Sequence, residues 1–210
     1  SLRSIYPRFG LNPLLKKLAS RILHENSLNN HDAWPYPNKY FALKAKNYCD
    51  QYTSAKKSFI KMQGSLFFLI TTEAASNYAR TFWQHTGLGA SSRQAAIDLN
   101  LELSPDKNLV NECKFKLIER ISSFTNTDPK LIYLTSSGMS AFHTALEIIY
   151  KIFPKRPTLQ IGFPYVDVLK LPKNIFYGAH LITEESIQNI ELEIKRINPV
   201  SYTHLRAHET

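Results

Sequence analysis

Apolar residues recur at helical spacing in several parts of the chain. Asn12 and Pro13 are typical of a helix start, with an N-cap residue followed by proline at the first helical position. Leucine and isoleucine residues between Leu14 and Leu23 then mark one helix face. Similar patterns predict helices at about 38–52, 107–124, 138–151 and 184–197. In the helix at 107–124 the residues expected to face inward are Leu109, Cys113, Leu117, Ile118 and Ile121.

Short apolar runs between turn residues predict strands. These runs are "SFIKMQ" (58–63) and "SLFFLITT" (65–72), separated by Gly64, and then "KLIYLTS" (130–136) and "TLQIGF" (158–163). The last two strands flank the helix predicted at 138–151 and would form a β-α-β unit. Strands that alternate with helices predict an α/β fold with a parallel sheet and right-handed crossovers. The stretch "AWPYPNKY" (33–40) is expected to be a proline-broken linker.

Residues 76–105 show weak periodicity and many polar, glycine and serine residues. This composition predicts a long loop, and long loops in compact proteins are commonly functional. The aromatic residues Tyr78, Phe82 and Trp83 argue against disorder in this segment.

Composition indicates a globular protein and excludes several functional classes. Of the 210 residues 43% are hydrophobic and 20% are charged. The net charge is +9, but there is no basic run and no zinc-finger or RNP-type motif, so we expect no nucleic-acid partner. No apolar run has the roughly 18 residues of a membrane span, so we expect no membrane partner. The two cysteines cannot form a disulfide framework, which favours a cytoplasmic location.

The stretch "YLTSSGMSAFHTAL" (133–146) joins a predicted strand directly to a predicted helix. A helix that begins at the carboxyl end of a parallel strand points its free N–H groups into the crevice where α/β folds bind ligands. These groups and the helix dipole favour an anion such as phosphate. Gly138 has no Cβ to block close approach, and Ser136, Ser137 and Ser140 add hydroxyl donors. The alternative is an ordinary serine N-cap without a ligand.

The same stretch resembles the Ser-Gly-Met segment of the pyridoxal-phosphate enzymes of cysteine and methionine metabolism, which include cystathionine γ-synthases, γ-lyases and β-lyases. The resemblance implies that the turn of Ser137, Gly138 and Met139 holds the cofactor phosphate. Tyr78-Ala79-Arg80 is similar to the family's Tyr-x-Arg motif, in which the tyrosine and the arginine bind the phosphate of the neighbouring subunit's cofactor. Tyr165 in "GFPYVDVLKL" (162–171) holds the place of the tyrosine that stacks on the pyridine ring.

The stretch "WQHTGLGASSR" (83–93) is similar to a divergent cystathionine γ-synthase-like branch known from fungi and some bacteria. The implied fold is the N-terminal part of the aspartate-aminotransferase-like fold, fold type I, with a mixed, mostly parallel sheet between helices. Residues 1–75 would form a branch-specific segment of helices and a strand pair. Residues 76–198 would form the first part of the cofactor-binding large domain.

The implied activity is γ-replacement on an O-acylhomoserine by cysteine, with pyridoxal 5′-phosphate as cofactor and amino acids as substrates. A γ- or β-lyase on the same scaffold and a non-catalytic basic phosphate-binding module are the alternatives. The family's cofactor-binding lysine and its pyridine-binding aspartate come well after the stacking tyrosine. Lys170, Lys173 and Asp167 follow Tyr165 too closely for these roles. We therefore expect an inactive N-terminal part of an enzyme that is a homodimer or homotetramer with shared active sites.

Several of these residues also have simpler interpretations. Arg80 could be a surface salt-bridge partner, and Tyr165 could be a core residue. His85 and Arg93 could face a substrate or could hold the loop in place. His143 lies within a predicted helix and is expected to serve packing rather than chemistry.

The end of the chain differs from the rest in composition. Val200 to Leu205 correspond, in one reading frame, to the transposase sequencing adaptor CTGTCTCTTATACACATCT, and the leading CT could complete the codon of Pro199. We therefore expect 199–210 to be a translated adaptor tail that is not native, and 200–210 to pack against nothing.

Overall fold

The computed structural model describes residues 10–54, 57–183 and 186–203. These residues form a mixed α/β fold with two three-stranded sheets. The helices are α1 (Pro13–Glu25), α2 (Lys39–Tyr52), α3 (Glu73–Thr86), α4 (Ser92–Asp98), α5 (Lys107–Thr125), α6 (Gly138–Ile152), α7 (Val166–Ile175) and α8 (Ile187–Ile197). The strands are β1 (His31–Tyr36), β2 (Ser58–Gln63), β3 (Leu66–Thr72), β4 (Thr158–Ile161), β5 (Ala179–Ile182) and β6 (Ser201–Thr203).

The helix predictions from apolar spacing are confirmed for α1, α2, α5, α6 and α8. Asn12 caps α1 as its sequence predicts, because its side-chain oxygen accepts a hydrogen bond from the N–H of Leu14 at 2.9 Å. The buried face of α1 consists of Leu15, Leu18, Ala19 and Ile22, which pack against the first sheet.

The first sheet is antiparallel and has the order β1-β3-β2. The predicted strand pair around Gly64 is confirmed, but the prediction of a linker at 33–40 is wrong for its first half, which belongs to β1. β1 tolerates Pro35 because it is an edge strand, where a missing N–H interrupts no second ladder. The carbonyl of Pro35 accepts a hydrogen bond from the N–H of Ala90 at 3.0 Å.

The prediction of a long loop at 76–105 is wrong for much of this segment. α3 occupies its first part, and α4 begins with a capping box formed by Ser91 and Gln94. The apolar residues of α3 do recur at helical spacing: the buried ones include Ala75, Ala79, Phe82 and Trp83. Ala79, Phe82 and Trp83 pack with apolar residues of α2 and with Leu69 of β3. Polar residues obscure this pattern in the sequence, and two of them, His85 and Thr86, are themselves buried.

The second sheet is parallel and has the order β5-β4-β6, which confirms the prediction of a parallel sheet. The predicted β-α-β unit of 130–136, 138–151 and 158–163 is wrong, because only the second of its two strands forms, as β4. Its core joins Leu159, Ile161 and Ile182 to apolar residues of α8. The β-α-β unit in this sheet is β4-α7-β5, in which α7 and β5 are not predicted by the sequence patterns above.

The predicted strand at 130–136 is wrong. A short 3₁₀ turn, Pro129–Leu131, is followed by extended residues that pair with no strand in the described part of the chain. The side chain of Tyr133 is 83% exposed. β-propensity alone does not make a strand, because the ladder hydrogen bonds need a neighbouring partner.

The inward face predicted for α5 is also wrong. The helix has no buried residue, and Leu109 and Leu117 are exposed. The amphipathic pattern predicts the helix correctly, but the described residues leave its apolar face at most half-buried.

The expectation that 200–210 pack against nothing is wrong for residues 200–203. The N–H of Val200 donates to the carbonyl of Pro157 at 3.0 Å, and β6 pairs with β4. Residues 204–210 lie outside the described residues. A search of the described helices found none with the length and apolar character to cross a membrane.

Candidate functional site

The candidate phosphate turn, Ser137–Met139, lies at the N-terminus of α6. Ser137 is the N-cap and forms a capping box with Ser140. The N–H of Ser140 donates to Oγ of Ser137 at 3.1 Å, and the N–H of Ser137 donates to Oγ of Ser140 at 2.9 Å. The hydroxyl groups of Ser137 and Ser140, which the sequence suggests as ligand donors, are therefore already used in capping α6.

The N–H groups of Gly138 and Met139 differ from the next N–H groups of α6 in their hydrogen bonding. The N–H of Ala141 is used within the chain, since it donates to the carbonyl of Ser137 at 3.0 Å. In the part of the chain that the structure describes, neither Gly138 nor Met139 has a hydrogen-bond partner for its N–H. Ser137 and Gly138 are exposed, and a Cβ built on Gly138 meets nothing within 4 Å. A phosphate group fits this turn, because two unsatisfied donors and the positive end of the helix dipole lie next to the open space at Gly138.

The C-terminal end of α3 closes one side of this turn. Gly87 ends α3 in the left-handed conformation, with φ of 68°. A Cβ at Gly87 would lie 2.7 Å from Oγ of Ser137, 2.8 Å from the N–H nitrogen of Ser140 and 2.9 Å from Cβ of Met139. Glycine at this position therefore permits both the helix end and its close approach to the turn.

The same end of α3 holds the start of α7. Nδ1 of His85 lies 3.3 Å from Oδ1 of Asp167, and both side chains are buried. Asp167 lies in the first turn of α7, where the positive end of the helix dipole also stabilises its carboxylate. Tyr165 is the N-cap residue of α7, and its side chain is 37% exposed. The last turn of α3 thus contacts the starts of both α6 and α7, which carry the predicted phosphate turn and the predicted stacking tyrosine.

The structure does not bring Tyr78 and Arg80 together. Both lie on α3, where a spacing of two residues rotates a side chain by about 200° around the helix axis. The ring of Tyr78 stacks on that of Tyr52, with 4.8 Å between centroids and 5° between planes. Arg80 instead lines a pocket of about 300 Å³ between α1, β1 and α3. Residues of the Ser137–Met139 turn are not among the described residues that line this pocket.

The remaining candidates have structural positions. His85 holds α3 to α7 through Asp167, and Arg93 is exposed on α4. The packing role expected for His143 is confirmed, because its ring is buried against Phe82 and Phe176. Burial lowers the pKa of His143 to about 4, with Glu147 opposing and Lys44 reinforcing the shift.

Sequence reasoning missed the His85–Asp167 pair and the role of Gly87. The pair joins residues 82 positions apart, so no local spacing could indicate it. For Gly87, the local indication was a glycine directly after the apolar spacing of α3, which is typical of a helix C-terminus.

Comparison of the chain with protein-family models, with curated proteins and with solved structures gave no match.

Proposed function

We propose that the Ser137–Met139 turn binds the phosphate of pyridoxal 5′-phosphate. The observation that carries this proposal is the pair of unpartnered N–H groups, among described residues, of Gly138 and Met139 at an exposed helix start. The open space next to Gly138 would admit phosphate oxygens, and the contact of Gly87 with the turn would hold the donors in place.

Each part of this chain has a defined task in the proposal. The turn would bind the phosphate, and Tyr165 at the start of α7 would contact the pyridine ring. The His85–Asp167 contact would hold the start of α7, and with it Tyr165, against the last turn of α3. When bound, the cofactor supplies an electron sink for bond changes at the carbons of an amino acid.

The corresponding whole-protein activity is that of a cystathionine γ-synthase-like enzyme, which joins an O-acylhomoserine to cysteine. The resemblance of the sequence motifs supports this choice of reaction. The lysine that binds the cofactor would come from sequence that this chain does not contain, so the chain alone is expected to be inactive.

Shared active sites between subunits are part of the proposal. Arg80 is exposed and lines a pocket that does not include the Ser137–Met139 turn of the same chain. This position suits contact with a cofactor in a neighbouring subunit. A γ- or β-lyase would use the same turn, so the turn does not discriminate among these reactions. A non-catalytic phosphate-binding module would also use the turn but would have no cofactor-binding lysine.

The proposal is tested by titrating the chain with pyridoxal 5′-phosphate and monitoring binding through the circular dichroism of the bound cofactor. The same titration with pyridoxal, which lacks the phosphate, provides the first comparison. Gly138→Asp places a negative charge on the turn and should abolish binding, because it repels the phosphate and fills the open space. Ala145→Asp is the matched control, since it adds the same charge to an exposed position later in α6. Equal binding of both ligands, or equal loss in both variants, would contradict the proposal.

A mixing experiment in the whole enzyme tests the shared sites. Subunits with Arg80→Ala and subunits with Gly138→Asp should each be inactive alone. In a mixed dimer, one site receives both intact contributions and activity should partly return. Heterodimers that form without any activity would show that Arg80 does not act across the interface.

A further inference from the structure

The pocket that contains Arg80 brings three charged side chains together from distant parts of the chain. Lys16 comes from α1, Asp32 from β1 and Arg80 from α3. Its volume of about 300 Å³ is at the small end of the usual range for ligand pockets. Local geometry explains the α3 wall, because Ser76, Arg80 and Trp83 are spaced four and three residues apart and share one helix face.

The two cations of this pocket have no carboxylate partner in the described residues. Lys16 and Arg80 are exposed, and neither forms an ion pair within the described ranges. Asp32, in contrast, has a partner, because its carboxylate accepts a hydrogen bond from the hydroxyl of Ser76. The charged groups of the pocket therefore offer two positive charges and one fixed negative charge.

The tryptophans of the pocket add an apolar surface. Trp34 and Asp32 share one side of β1 because they are two residues apart. The rings of Trp34 and Trp83 lie 6.0 Å apart. The indole N–H of Trp34 is buried and has no acceptor among the described residues. Because this N–H has almost no accessible surface, it belongs to the packing beneath the pocket and is not open to a ligand.

We infer that this pocket binds a small amino acid that carries a second carboxylate. Two carboxylates and one ammonium complement Lys16, Arg80 and Asp32 in number and sign. Inorganic phosphate has no positive group to pair with Asp32, so it matches these three charges less well than an amino acid with two carboxylates. Within one chain the pocket is separate from the phosphate turn, which is not among the described lining residues, and Arg80 is the residue that both proposals use.

L-glutamate is a suitable probe, and intrinsic fluorescence is a direct readout. Trp34 and Trp83 both line the pocket and are the two tryptophans of the chain. We expect a saturable fluorescence change with glutamate, at constant ionic strength. L-glutamine, which has the same shape without the second carboxylate, should bind at least about tenfold more weakly. Glutamate that gives no saturable change, or glutamine that binds equally, would overturn the inference.

Charge-removing variants test the three assigned contacts. Lys16→Met and Arg80→Met should each weaken glutamate binding by about tenfold or more. Asp32→Asn should weaken glutamate binding and strengthen binding of inorganic phosphate. Lys17→Met is the matched control, because Lys17 is also exposed on α1 but is not among the described lining residues. Equal weakening by Lys16→Met and Lys17→Met would overturn the site and indicate only a general effect of net charge.

The two proposals can fail separately. Gly138→Asp should leave glutamate binding unchanged, and Lys16→Met should leave the binding of pyridoxal 5′-phosphate unchanged. Loss of glutamate binding in Gly138→Asp would overturn the assignment of glutamate to this pocket. Far-UV circular dichroism of each variant shows whether a loss reflects unfolding instead, and the exposed positions of Lys16, Asp32 and Arg80 make unfolding unexpected.

Discussion

The buried side chains of His85 and Asp167 meet with 3.3 Å between Nδ1 and Oδ1. This contact joins the last turn of α3 to the first turn of α7. Two residues after His85, Gly87 touches the start of α6. One end of α3 therefore contacts the starts of both α6 and α7. The contribution of these contacts to the free energy of unfolding can be measured directly.

A double-mutant cycle on His85 and Asp167 measures the strength of this contact. Removing one member of this buried contact takes a hydrogen-bond partner from the other, so His85→Leu and Asp167→Leu should each lower the free energy of unfolding by about 1–3 kcal/mol. The double variant should lose less than the sum, with a coupling of about 1–3 kcal/mol in urea denaturation. Additive losses would mean that the two side chains contribute independently.

Substitution of Gly87 tests the contact between α3 and the candidate phosphate turn. Gly87→Ala should destabilise the chain by more than about 1 kcal/mol, because φ is positive and the new Cβ would approach Ser137, Met139 and Ser140 too closely. Gly138→Ala is the control, since its Cβ would meet nothing within 4 Å. Thermal unfolding of both variants gives the comparison, and similar losses would contradict the close contact at Gly87.

The burial of His143 predicts a pH-dependent stability. Its pKa is lowered from 6.5 to about 4 in the folded chain, so the unfolded chain takes up a proton that the folded chain resists. The stabilisation is complete above pH 6.5 and is lost as the pH falls to about 4, and it amounts to roughly 3 kcal/mol. Urea denaturation across this range should show the loss.

His143→Leu should remove this part of the pH dependence, because no titrating group remains at the site. His24→Leu is the control for a histidine on the surface of α1 and should retain the loss of stability on acidification. A wild-type profile that is flat between pH 4 and 6.5 would contradict the lowered pKa of His143.

The packing of the Tyr78 ring and the expected contact of its hydroxyl with a cofactor phosphate can be tested separately. Its ring stacks on Tyr52, so Tyr78→Ala should cost about 0.5–1.5 kcal/mol from the lost ring pair, in addition to lost burial. Tyr78→Phe keeps the stacked ring and should unfold like the wild type in chemical denaturation. If the hydroxyl binds a cofactor phosphate in the whole enzyme, Tyr78→Phe should still weaken cofactor binding there. Unchanged binding would assign Tyr78 to packing alone.

Local sequence determined the elements whose hydrogen bonds are made within a few residues. Asn12 and Pro13 specify the start of α1, and Ser137 specifies the start of α6, because a capping side chain binds N–H groups two or three residues away. The strands on either side of Gly64 are predictable for the same reason, since a short turn places them next to each other. The helix start that forms the candidate phosphate turn is therefore evident from the amino-acid sequence alone.

Tertiary structure decided the elements whose partners lie far along the chain. β1 forms in spite of Pro35 because β3 supplies its ladder, whereas residues 130–136 have strand-like composition but no neighbouring strand among the described residues. The divergence of Tyr78 and Arg80 follows from the helical backbone of α3, which packs on α2 and β3. The pocket of Lys16, Asp32 and Arg80 needed α1, β1 and α3 to be placed together. Such contacts depend on which surfaces are buried against each other, and spacing within one segment does not contain that information.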